Sequence, residues 1–121
     1  MPDYLKLFNE AKTLYFSIGK VICHCLNNEP VIFGDAGWRH MIYKPKHMRP
    51  ISDRIRRFKL LKCATSVLEN KNVSVTARTI YKNNRTLYFW NLETEMDDLK
   101  LRLVIRQIGS GPKEFFSIMS K

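Results

Sequence analysis

A short basic segment with two histidines is the first part of this sequence whose residue types could do chemistry. His40 and His47 are interleaved with four cations, Arg39, Lys44, Lys46 and Arg49. Histidine can take or give a proton near neutral pH, and cations stabilise charge that develops on a phosphate. These are the parts of a metal-free ribonuclease: a base for the 2′-hydroxyl, an acid for the departing 5′-oxygen and cations around the phosphate. Exposed loop histidines that only bind phosphate would give the same pattern.

Two predicted strands near the C-terminus carry a second group of polar side chains. Arg102 and Arg106 are four residues apart, so on a strand both side chains lie on one face, and the other face receives Leu101, Leu103 and Ile105. On the last strand, alternation puts Ser117 on the face of Phe115 and allows it to lie beside Arg106. A hydroxyl next to an arginine is a phosphate cradle, although a routine polar strand edge has the same composition.

The positive charge of the chain is concentrated in one block. The 121 residues carry a formal net charge of +10, and residues 36–62 alone hold nine basic and one acidic side chain, a net +8. A focused block of one sign predicts a docking face for a polyanion. We expect Arg49, Arg54 and Arg57 within this block to contact phosphates.

Other kinds of site have little support in the sequence. The cysteines are Cys23, Cys25 and Cys63, an odd number that makes a poor disulfide framework. Cys23-His24-Cys25 lacks the spacing and the second ligand pair of a zinc site, so neither metal nor cofactor is expected. There is no Gly-rich phosphate loop, no apolar run long enough to span a membrane and no recognisable signal peptide.

The elements that would position these residues follow from periodicity. Apolar gaps of three and four predict a helix from about residue 3 to about 26, broken near Gly19. A short strand, 31–33, leads into a loop or short helical turn over 36–50, and Ser52 caps a helix that ends near Asn70. Alternating segments then predict four strands, 73–81, 86–92, 100–108 and 113–119. We therefore expect an α+β fold: N-terminal helices followed by a four- to five-stranded antiparallel sheet.

This order of elements resembles a known superfamily. The segment GWRHMIYKPKHMRP, the Arg-rich helix after it, and four strands with Arg106 on the third and Phe115-Phe116-Ser117 on the fourth are similar to the barnase–EndoU–colicin–RelE ribonucleases. The likeness is greatest to the branch found in phage proteins and contact-dependent-inhibition toxins, and it covers roughly residues 30–120. It divides the chain into an N-terminal helix, 1–28, packed on a ribonuclease-like domain, 29–121, within a single domain overall.

The resemblance also implies an activity and a site. It makes His40 the active-site histidine, Arg106 the phosphate-binding cation and Ser117 the hydroxyl at the scissile phosphate, with further substrate contacts from Lys46, His47 and Lys113. The identity of the general base stays open between His40 and His47, because no glutamate is evident opposite His40. The implied reaction is metal-independent cleavage of tRNA or another structured RNA to a 2′,3′-cyclic phosphate.

Such a toxin implies a partner and a place of action. An acidic cognate inhibitor, an immunity protein or antitoxin, would protect the producing cell, and the basic block would steer it to the face that binds RNA. The activity would be exerted in the cytoplasm, with delivery as part of a secreted toxin as one route. A non-catalytic nucleic-acid-binding module is the alternative function, and a basic protein that binds only an acidic protein is a third.

Overall fold

Four helices precede a long strand meander in residues 3–120, the part of the chain that the computed structural model describes. The ends of the two predicted domain segments, residues 1–2 and 121, lie outside it. A 3₁₀ turn, Leu61–Cys63, joins the last two helices. The helices are α1 Tyr4–Ile18, α2 Asp35–Ile42, α3 Ile51–Leu60 and α4 Ala64–Glu69. None of these helices is long and apolar enough to cross a membrane.

Six of the eight strands form one mixed sheet. Its order is β1-β2-β8-β7-β6-β5, and β3 and β4 make a separate small hairpin. The strands are β1 Lys20–Cys23, β2 Glu29–Ile32, β3 Tyr43–Lys44, β4 His47–Met48, β5 Ser74–Lys82, β6 Arg85–Met96, β7 Leu99–Ile108 and β8 Lys113–Ser120. The α+β class is confirmed. The expected antiparallel sheet of four to five strands is wrong in detail, because β2 runs parallel to β8 and β1 adds a sixth strand.

The first helix is shorter than its apolar spacing predicts. It ends at Ile18 because Gly19 adopts a positive φ of 66°, a conformation that leaves the helix. Residues 20–23 then pair antiparallel with residues 29–32 through a turn in which Asn27 and Asn28 both have positive φ. Four apolar-rich residues are too few to distinguish a strand from a helix by spacing alone.

The histidine segment is also more ordered than expected. Residues 35–42 form α2 because Trp38, Met41 and Ile42 are spaced to bury one helical face. The following residues form the β3–β4 hairpin, which returns the chain so that the Arg49 N–H donates to the Ile42 carbonyl at 2.8 Å. The predicted helix over 52–70 is three pieces, α3, the 3₁₀ turn and α4, and Pro50 rather than Ser52 occupies the N-cap position.

The four-strand meander is present, with one boundary changed. Strand β6 continues to Met96, so the turn is Asp97-Asp98, both at positive φ, rather than the whole segment 93–98. Residues 93–96 pair with residues 99–102 of β7. The acidic side chains therefore belong partly to the sheet, where Glu93 lies opposite Arg102.

The helices cover one face of the sheet and leave part of the other open. Leu101, Leu103 and Ile105 of β7 enter a single core with the helices, as predicted. Helix α2 approaches β8 closely, since a Cβ on Gly37 would collide with the Phe115 carbonyl and the Tyr15 hydroxyl. The opposite face carries alternate residues of β5 to β8, and the candidate site lies there.

Candidate active-site groove

A β-bulge on β8 sets the geometry of the site. Val104 pairs with Ser117 and Ile105 pairs with Phe115, so Phe116 is an extra residue with no partner on β7. A bulge of this kind turns two successive side chains toward the same side. Phe116 and Ser117 both line the open face, whereas Phe115 lies in the core. The sequence prediction that Ser117 shares a face with Phe115 is therefore wrong.

A groove of about 450 Å³ lies over this bulge. Its lining combines a histidine and two arginines with aromatic, amide and hydroxyl groups. The lining residues are His40, Arg78, Phe89, Asn91, Arg102, Val104, Phe116, Ser117 and Met119. The groove thus joins α2 to four strands that are distant in sequence, and a phosphate-bearing ligand would meet both cations and hydrogen-bond donors there.

The Phe116 ring holds His40 and Arg106 together. The His40 imidazole stacks on it with ring centroids 4.0 Å apart and planes 23° apart. The Arg106 guanidinium carbon lies 4.7 Å from the centroid of the same ring, a distance at which a cation is attracted to an aromatic face. Two of the three predicted catalytic residues therefore contact the Phe116 side chain, which was not itself predicted as a site residue.

His40 is a neutral imidazole at neutral pH. Burial, together with the positive charges of Arg49, Arg57 and Arg106, lowers its pKa to about 4. Arg49 donates from Nη2 to His40 Nε2 at 3.2 Å and from Nε to the His40 carbonyl at 2.8 Å. In the neutral ring Nε2 is then the acceptor and Nδ1 carries the proton. A bound phosphate would offset the surrounding cations and raise the pKa of His40.

Ser117 is held by Arg57 instead of Arg106. Arg57 Nη1 donates to Ser117 Oγ at 2.8 Å and to the Ile118 carbonyl at 3.3 Å. Arg106 lies opposite Glu114 in the register and donates to its carboxylate, with Nε 2.7 Å from Oε1. The expected pairing of Ser117 with Arg106 is therefore corrected, because the bulge shifts the register. Neither Arg57 nor Arg106 is among the residues that line the groove.

Part of the basic block forms an internal network around Asp53. Its carboxylate accepts from Arg49 and Arg57, each at 3.2 Å, and Arg56 lies 3.8 Å away. Burial raises the pKa of Asp53, but the charges and hydrogen bonds of Arg57 and Arg49 outweigh burial and hold the pKa below its usual value. Arg54 donates to the Arg49 carbonyl and to a tyrosine hydroxyl of α1.

These contacts change the expected role of three arginines. Arg49 and Arg57 are only 6% and 8% exposed, and Arg54 is half-buried. The expectation that all three lie on a solvent-facing, phosphate-binding face is therefore not met, because their donors are directed mainly at protein acceptors. The exposed cations of the block are Arg39, Lys44, Lys46, Arg56, Lys59 and Lys62.

The remaining predicted substrate contacts lie away from the groove. Lys46 and His47 are exposed on the β3–β4 hairpin, and Lys46 has a positive φ of 80° in its turn. Lys113 forms an ion pair with Glu29, and its Nζ lies 4.9 Å from the centroid of a Trp90 ring. None of the three lines the groove that contains His40 and Ser117.

Seven groove residues were not predicted as site residues: Arg78, Phe89, Asn91, Arg102, Val104, Phe116 and Met119. The hairpin turn over 82–85 contains the signal for the first two. It fixes the β5–β6 register, in which Arg78 lies opposite Phe89, and the Arg78 guanidinium carbon is 4.7 Å from that ring centroid. A bulge has no such signal in the sequence, so Phe116 could not be found in this way.

The cysteines give no metal site in the described part of the chain. Cys23 and Cys25 have sulfurs 3.5 Å apart, and burial raises the pKa of Cys23 to about 12, so its thiol is protonated and unreactive at neutral pH. Within residues 3–120 no three His, Cys, Asp or Glu side chains are grouped so that they could hold a metal ion.

Comparisons with protein families, with curated proteins and with solved structures found no match.

Proposed function

We propose that this protein is an RNA endonuclease of the barnase–EndoU–colicin–RelE type, and that it cleaves without a metal by attack of the 2′-hydroxyl on the adjacent phosphate. The observation that supports the proposal most is the arrangement at one open groove. His40 and Ser117 line it, Arg106 lies over the Phe116 ring on which His40 stacks, and Arg57 donates to Ser117. These residues come from two helices and two strands, and together they offer a proton-transfer group, two cations and a hydroxyl.

The reaction needs few protein groups. The 2′-oxygen bonds to phosphorus and its proton passes to a base, while the bond from phosphorus to the 5′-oxygen breaks and that oxygen receives a proton. The products are a 2′,3′-cyclic phosphate and a 5′-hydroxyl. His40 carries a proton-transfer role, since negative charge on a bound phosphate raises its pKa toward the range where histidine works well.

The two cations act on the phosphate in different ways. Arg106 neutralises charge that grows on the non-bridging oxygens, which is where positioned donors contribute most to catalysis, and the buried Arg57 adds positive charge from behind Ser117. Ser117 lines the groove but is only 1% exposed, and its Oγ accepts from Arg57, so we assign it the role of holding the Arg57 guanidinium in place. We assign the second proton-transfer role to no residue, because His47 lies outside the groove.

The proposal includes tRNA or another structured RNA as substrate and an acidic inhibitor protein as partner. An uninhibited ribonuclease is toxic to its own cell, and the net charge of +10 favours association with an acidic protein as well as with RNA. The cytoplasm, where such RNA is found, is the proposed site of action.

One experiment separates cleavage from simple binding. Purified protein is incubated with total tRNA in EDTA, and the products are sized. The products are then treated with a phosphatase before and after hydrolysis of any 2′,3′-cyclic phosphate, because the phosphatase removes the phosphate only once the ring has been opened. We expect shortened RNA with cyclic ends, and no cut where the 2′-hydroxyl at the scissile nucleotide is replaced by hydrogen. RNA that is shifted in a gel but never shortened would indicate the non-catalytic binding module instead.

A further inference from the structure

The groove contains two arginines to which the proposed reaction gives no task. Arg78 and Arg102 both line it. Arg78 lies over the Phe89 ring and makes no hydrogen bond or ion pair with another described residue. Two cations that line one groove, of which Arg102 has only a 3.6 Å ion pair with Glu93, suggest a ligand with more than one negative charge.

Arg102 has a donor that the protein leaves unsatisfied. Its Nε is buried and has no hydrogen-bond partner among residues 3–120. The nearest carboxylate oxygen in an ion pair with it, Glu93 Oε1, lies 3.6 Å from Nη2, longer than a hydrogen bond. Buried donors are nearly always paired, and leaving a charged one unpaired is costly. Because the side chain is 32% exposed, its guanidinium can still be reached from the groove.

The sheet register sets the spacing of the groove cations. Arg78, Phe89 and Arg106 form one row across β5, β6 and β7, so the Cα atoms of the two arginines are about 10 Å apart at the usual strand spacing. Arg102 is four residues from Arg106 on β7, about 13 Å along the strand. One phosphate cannot contact all three, whereas successive phosphates of one chain can.

We propose that Arg78 and Arg102 form a second subsite in which each arginine binds a different phosphate of the substrate strand, beside the one held at His40 and Arg106. This deepens the proposed function and rests on it for the identity of the first phosphate. The ligand is an unpaired stretch of nucleic acid that lies across the open sheet face. Positive grooves with aromatic side chains bind single strands in this way.

The test uses a fluorescent single-stranded oligonucleotide of 2′-deoxynucleotides, which this chemistry cannot cut. Affinity is measured by anisotropy at several salt concentrations for the wild type, Arg78→Gln, Arg102→Gln and Arg102→Lys. Arg85→Gln is the matched control, because Arg85 is an exposed arginine at the β5–β6 turn.

We expect each Gln variant in the groove to bind about tenfold more weakly, as for a lost charged hydrogen bond. The slope of log K against log salt should become shallower by about 0.7, the value for one phosphate contact on a single strand. Arg102→Lys keeps the charge but lacks the planar guanidinium with its several donors, so it should keep the slope and lose affinity. Arg85→Gln should change neither quantity.

Slopes and affinities of both groove variants equal to those of Arg85→Gln would overturn the second subsite. Because the oligonucleotide is not cut, this result is independent of catalysis. If the protein fails to shorten RNA while the groove variants still weaken binding, the nuclease function fails and the phosphate subsite stands. If RNA is cut but the groove variants bind normally, the nuclease function stands and the phosphate subsite fails.

Discussion

Adjacent arginines on α3 offer a sharp test of the internal network. Arg57 donates to Ser117 Oγ, the Ile118 carbonyl and Asp53, whereas the Arg56 side chain is 60% exposed and lies 3.8 Å from Asp53. Replacing each by Met keeps most of the apolar stem and removes the guanidinium. If both arginines lay on a uniformly solvated basic face, the two substitutions would lower the free energy of unfolding equally. The contacts in the structure predict a much larger loss for Arg57→Met than for Arg56→Met.

The magnitude follows from the contacts. Arg57→Met leaves two acceptors without this donor and removes one partner of a largely buried ion pair, a loss that typically costs about 3–5 kcal/mol. Arg56→Met removes an exposed ion-pair partner worth about 0–1 kcal/mol. With a urea m-value of about 1.5 kcal/mol/M, the unfolding midpoint should fall by about 2–3 M for Arg57→Met and by less than about 0.7 M for Arg56→Met. Equal midpoints in urea titrations followed by circular dichroism would refute the network.

Three further predictions concern pH, packing and metal. Folding lowers the His40 pKa from 6.5 to about 4, so below pH 6.5 the unfolded chain binds a proton that the folded chain does not. The free energy of unfolding should therefore fall as the pH is lowered from 6.5 to 4.5, and it should fall less steeply in His40→Gln. Equal slopes of unfolding free energy against pH in the two proteins would contradict this. Gly37→Ala should lower the free energy of unfolding by about 1–3 kcal/mol through overpacking against Phe115. Gly34→Ala is the control and should lower it much less, because a Cβ there meets only ordinary contacts. Similar melting temperatures of the two variants would count against the α2–β8 packing. RNA cleavage should persist in EDTA, and recovery of lost activity by one divalent metal would contradict the metal-free mechanism.

Local patterns in the sequence were sufficient for the C-terminal meander. Alternation of apolar and polar residues predicts all four strands, and it correctly assigns Leu101, Leu103 and Ile105 to the core. The turn residues Asn83 and Asn84 adopt the positive φ that their type favours. Within a hairpin, the loop fixes the register, so the face of each residue on β5 and β6 could also be derived.

Non-local contacts account for what the sequence did not reveal. The parallel pairing of β2 with β8 joins residues 31–32 to 113–114, a contact that no local pattern records. The bulge at Phe116 separates the face of Ser117 from that of Phe115, which lies in the core, and moves the partner of Ser117 from Arg106 to Arg57. Arg57 is buried with its donors on Ser117 Oγ and the Ile118 carbonyl of β8, contacts distant in sequence, so charge counting alone assigns this residue to the solvent.

The same difference between local and non-local information applies to the predicted catalytic residues. His40 was found from residue type and a basic neighbourhood, and the structure brings it to the groove with Ser117. The ring that positions it, Phe116, comes from a strand more than seventy residues away and has no chemical signature of its own. Supporting residues of this kind become visible only when the register is known.

The most direct test of the central claim compares RNA cleavage and RNA binding in one pair of proteins, the wild type and His40→Ala. Single-turnover cleavage of tRNA is measured in EDTA, and binding is measured with an uncleavable 2′-deoxy strand. We predict that His40→Ala cleaves at least about 10²-fold more slowly, as expected for loss of a proton-transfer group, while its affinity changes little. A His40→Ala protein that cleaves at the wild-type rate, or a wild-type protein that leaves RNA intact, would contradict it.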